Sequence, residues 1–214
     1  MNARRRGFTL IELLIVVAII AILAMIAVPN FLEAQTRSKC ARVAADLRTF
    51  ATAIEAYFTD ANDYPRNNRQ RFWTLSLDLT TPVPYLTTVQ LVDPFSLYKE
   101  NDPQVGLPYY TYQRVLSLAD AVAVSTLNPN YTPAYETVDG PSPYNPGALY
   151  KYGEWRLLSL GPDREYLPAA FSSSSRAVQY ANIDVLYDPT NGTVSWGNIL
   201  RTQISPEGKA RQIP

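Results

Sequence analysis

The sequence contains no histidine and a single cysteine, Cys40, among its 214 residues. The first absence removes Ser-His-Asp triads, Cys-His pairs and the usual zinc sites in one step. The second removes any intramolecular disulfide and leaves the redox compartment unspecified. Net charge is also lacking: 19 basic residues balance 19 acidic ones. No basic surplus argues for nucleic acid, and the only basic cluster is Arg4-Arg5-Arg6, which has a membrane-topology explanation. Gly-rich phosphate loops and paired carboxylates at a readable spacing are missing too, since Glu154, Asp163 and Glu165 read as solvated acids around a turn. These gaps point away from an enzyme.

What is present begins at the N-terminus. From Phe8 to Val28 the only polar residues are Thr9 and Glu12. As a helix this run covers about 30 Å, the thickness of a bilayer core. A plain anchor would carry Leu where Glu12 stands, because an ionisable group in a membrane costs a few kcal/mol or more, about 2.5 at least. Glu12 therefore requires a later partner, or else serves its own helix start, where an acid favours the dipole. The Arg cluster and apolar run resemble a secretory signal peptide, with Ala27-Val28-Pro29 as one conceivable cut. Gly7 offers another, upstream of the apolar run, that would keep the helix in the mature chain.

Beyond Pro29 the apolar residues Cys40, Val43, Leu47, Phe50, Ile54 and Tyr57 recur at intervals of three and four. They form one stripe of an amphipathic helix that packs on the following domain. Pro29 should bend or loosen the helix without ending it, because helix formers resume at once. Phe8 to Phe58 is expected to be one helix on the order of 75 Å long, with Asp60 to Pro65 as its stop.

The remainder holds nearly all of the 17 prolines and 15 tyrosines, a composition suited to an exported, loop-rich domain. Asn67 to Arg71 reads as a polar loop and Phe72 to Leu79 as a short helix or turn. Val89 to Val92 leads into a turn at Asp93-Pro94-Phe95. Strands are expected at Tyr109 to Val115 and Glu154 to Leu160, the second stopped by Gly161-Pro162-Asp163. Leu149 to Tyr152 reads as the start of another. The proline-dense run Asn128 to Gly147 is expected to be a surface excursion, and Ser172 to Ser175 a flexible loop. Ile183 to Tyr187, the turn Asp188 to Gly192 and Thr193 to Trp196 read as a hairpin, ahead of a frayed tail at Pro206 to Lys209. The fold class is α+β: a long N-terminal α-helix on a small antiparallel β-sheet head. Its parts are residues 1–7, the apolar half 8–29, the amphipathic half 30–60 and the head 61–214.

Arg-Gly-Phe-Thr-Leu-Ile-Glu-Leu-Leu, from Arg6 to Leu14, resembles the processing and assembly motif of type IV pilins and type II secretion pseudopilins. The resemblance covers roughly residues 4 to 60, with Gly7 at the cut, Phe8 as the new first residue, and Glu12 and Pro29 as assembly residues. It implies that residues 1–7 are a leader removed by a prepilin peptidase, which also methylates the Phe8 amine. It further implies a homopolymer in which Glu12 pairs with a neighbour's amine, driven by an inner-membrane assembly platform and a cytoplasmic ATPase. A membrane would hold the subunit before assembly, with the head outside the cytoplasm.

The head resembles the major pseudopilin more weakly, through Asp93-Pro94-Phe95, the strand Tyr109 to Tyr112 and Ser159-Leu160-Gly161-Pro162-Asp163. That resemblance implies minor pseudopilins as partners. It also implies a calcium loop to which Asp163, Asp188, Asn191 and Ser159 would supply oxygens. Phe95-Ser96 and Arg164 depart from the family pattern, and Asp163 and Asp188 read equally well as turn-capping aspartates. A surface pilus subunit is the alternative function. Its outward binding surface would lie in the long Lys99 to Tyr150 excursion.

Overall fold

A computed structural model describes residues 8–66, 75–96, 109–117, 119–120, 137–139, 148–164, 186–188 and 197–205. Helix α1 spans Leu10–Ala61 and runs through Pro29 without interruption, because that ring removes only one of the ladder's hydrogen bonds. It passes the expected end at Phe58 and closes at Asn62, whose left-handed φ of 52° suits a residue just past a helix C-terminus. The chain divides into two compact units, Met1–Ser38 and Lys39–Pro214.

In the first unit every residue from Phe8 to Leu32 is exposed. This part of α1 is long and apolar enough to cross a membrane. Beyond this stretch Glu33 pairs with Arg37 one turn on at 2.5 Å.

The second unit is built on the amphipathic stripe. A 3₁₀ turn at Leu77–Leu79 precedes β1 (Thr111–Ser117), β2 (Thr137–Asp139), α2 (Ala148–Tyr152), β3 (Trp155–Ser159) and β4 (Ile199–Thr202). The sheet order is β2-β1-β3-β4. β1, β3 and β4 are antiparallel, with Tyr112 opposite Leu157 and Leu157 opposite Arg201, while β2 joins β1 in parallel. One face of the sheet presents Tyr110, Tyr112, Trp155 and Leu157 to Val43, Leu47, Phe50 and Ile54 of α1. Phe50 meets the Tyr110 ring edge-on at 5.3 Å. Each fully buried side chain of this kind contributes about 1.5–3 kcal/mol. The other face carries Val115, Leu158 and Leu200 with Tyr152 of α2. Arg156 is also wholly buried there, its Nε donating to Gln113 Oε1 at 2.6 Å and its guanidinium 4.5 Å from the Tyr152 ring centre.

Several expectations need correction. Leu149 to Tyr152 lies in a helical turn, not a strand: the Gly153 N–H donates to Leu149 O at 2.9 Å, and Gly153 takes the φ of +77° that ends a helix. Within the excursion Asn128 to Gly147, the proline-free Thr137–Asp139 adds an edge strand to the sheet. β4 was not anticipated; it lies between the expected hairpin and the tail expected at Pro206 to Lys209. Of the expected hairpin, Leu186 forms a parallel bridge to Asn198. Its turn beyond Asp188, the loop Asn67 to Arg71, Ser172 to Ser175 and Pro206 to Lys209 lie outside the described residues.

Candidate functional site

The N-terminal site starts from Thr9 and Glu12, three residues apart. The Thr9 N–H and the Thr9 hydroxyl both donate to Glu12 Oε2, each at 2.8 Å. The Glu12 N–H points back at Thr9 Oγ1 at 3.3 Å. This reciprocal arrangement is a capping box, which satisfies backbone donors that a helix start leaves unpaired. Both expected roles of Glu12 bear on this geometry. It serves its own helix, and it stays exposed in a wholly apolar stretch. Phe8 is 71% exposed just before it. Pro29 lies within α1, and Gly7 lies outside the described residues.

The head motifs converge on one buried carboxylate. Asp93 is 3% exposed. Its Oδ1 accepts from the Phe95 N–H at 2.9 Å, closing the Asp-Pro-Phe turn, and its Oδ2 accepts from the Leu160 N–H at 3.0 Å. The Ser159 hydroxyl adds a third donor. Burial pushes this carboxyl above the usual range, against the opposing pull of those donors. Two of the three segments that carry the head's resemblance, 67 positions apart, are thus clasped together. The Asp-Pro pair signals a turn in the sequence, but nothing there signals its partner at Leu160.

Beyond the clasp, Gly161 has φ +73°, and a Cβ there would stand 2.1 Å from the Gly197 carbonyl oxygen. Asp163 Oδ2 accepts from the Gly197 N–H at 2.6 Å. It therefore acts as a cap, tying the loop after β3 to the start of β4. Of the residues expected to supply calcium oxygens, Asp188 is exposed, Ser159 turns to Asp93, and Asn191 lies outside the described residues. Among the described residues no three acidic or cysteine side chains group as a metal cluster. Sequence reasoning missed Asn198, which follows Gly197 directly. It is 2% exposed, and its Oδ1 has no hydrogen-bond partner among the described residues.

A second network ties the sheet to α1. Trp155 Nε1 donates to Glu55 Oε1 at 2.8 Å, the Tyr64 hydroxyl donates to Glu55 Oε2 at 3.2 Å, and Gln203 Nε2 donates to the Tyr64 oxygen at 2.7 Å. Burial and the adjacent Glu55 push the Tyr64 phenol up to about 12. The Tyr110 hydroxyl donates to Asp46 Oδ2 at 2.7 Å. Its phenol is raised by burial and by that carboxylate. Cys40 packs half-buried against the main core, and burial raises its thiol.

Comparison with known proteins places the N-terminal site in context. A family profile described as the prokaryotic N-terminal methylation motif matches residues 2–28. The type IV major pilin protein of Myxococcus xanthus is 52% identical over 63 residues, 29% of each chain. The type IV wide pilus major component of Thermus thermophilus is 50% identical over 62 residues, 29% of this chain and 47% of that one. The type II secretion system core protein G of Pectobacterium carotovorum is 34% identical over 62 residues, 29% of this chain and 40% of its own. The chain thus spans less than half the length of each of these three relatives, and no solved structure matches it. Its N-terminal quarter, with the methylation motif and the apolar helix, is similar to those of type IV major pilins and of type II secretion core protein G.

Proposed function

We propose that this chain is a structural filament subunit rather than an enzyme. A prepilin peptidase cuts it after Gly7 and methylates the Phe8 amine. The subunit waits in the inner membrane with its head outside the cytoplasm. It then polymerises with copies of itself, driven by an assembly platform and a cytoplasmic ATPase. The observation that carries this reading is a single carboxylate, Glu12, at the start of an exposed apolar helix that passes through Pro29. In lipid that helix is an anchor. In a filament the same surface packs against its counterparts, and Glu12 meets the amine that the cut releases. Such a pair sets axial register, because a lone buried charge strongly opposes assembly while a matched pair contributes little net stability. Apolar packing supplies the rest.

The filament we favour is a type II secretion pseudopilus with minor pseudopilins as partners, supported by the clasp that joins the Asp93 turn to Ser159 and Leu160. A surface-exposed type IV pilus is the second reading, favoured by the identity of the N-terminal segment to major pilins. Electron microscopy of filaments from the sheared surface fraction and from the cell envelope, with mass spectrometry of the N-terminus, tests the filament assignment, and filaments in the surface fraction favour the second reading. Filaments whose subunits begin at methylated Phe8 are expected. Full-length, unprocessed subunits with no filaments would overturn it.

Calcium is a further part of the proposal, held near Asp163, Asp188 and Asn191. Its support is Asn198 Oδ1, a buried amide oxygen without a hydrogen-bond partner among the described residues, next to the Gly197 that Asp163 caps. Calcium takes oxygen ligands of this kind. A melting temperature that falls on adding chelator and recovers with calcium is expected. An unchanged one would remove the metal.

A further inference from the structure

We draw no further inference here: the strongest candidate, the outward face of helix α1 along which the exposed Ala41, Ala45, Thr49, Thr52, Ala56 and Thr59 recur at intervals of three and four, is a stripe of small residues, and nothing in the structure shows what covers it.

Discussion

At Asp93 a buried carboxylate is worth more for the segments it joins than for its charge. Burial raises its folded pKa above the unfolded value. Its contribution is therefore full below the unfolded pKa and declines as pH rises through the folded one. Asp93→Asn has no such titration. The difference in unfolding free energy between wild type and D93N should thus shift against the wild type as pH rises from the acid range, which denaturant titrations at several pH values would measure. A flat difference would mean that the three donors cancel the effect of burial. Gly161 is constrained more simply. Its positive φ and the 2.1 Å gap to the Gly197 carbonyl leave no room for a Cβ. Gly161→Ala is expected to cost the head about 2 kcal/mol or more, read as a lowered denaturation midpoint.

Helix α1 serves two environments in succession along its length. Its first half is apolar all round. Its second is one-sided, and the stripe from Val43 to Ile54 is the floor on which the sheet is laid. Phe50, fully buried and in edge contact with Tyr110, is central to that floor. Phe50→Ala should destabilise the head by about 3–5 kcal/mol, measured by thermal or denaturant unfolding, while cleavage at Gly7 proceeds as before. The stripe was legible in the sequence because an amphipathic helix writes its core at intervals of three and four. β1 and β3 were legible from dense aromatic and branched residues. β4 was not, because Ile199–Thr202 is four residues long and joins β3 from forty or more positions away. α2 was misread because Leu149, Tyr150 and Tyr152 favour strands by composition. Gly153, which stops the helix, was the overlooked signal.

For the molecule, the unit Lys39–Pro214 contains the whole main core, both faces of the sheet and the Glu55 network. A chain beginning at Lys39 is expected to fold without the apolar segment, to stay in solution without detergent, and to unfold cooperatively. Size-exclusion chromatography and circular dichroism would check this. Aggregation in detergent-free buffer would show that the first unit is needed for the fold. The N-terminal resemblance was legible because its information is local: Gly7, Phe8, Thr9, Glu12 and Pro29 stand within one short stretch of sequence. By itself the sequence determined the membrane-length helix, the misplaced carboxylate, the amphipathic stripe and the α+β class. Tertiary structure alone decided that Asp93 clasps Leu160, that Asp163 caps Gly197, that Arg156 sits beneath Tyr152, and that β4 completes the sheet. Periodicity records which face of a helix is buried. It does not record which distant backbone a buried carboxylate will meet, because that depends on how the chain closes on itself.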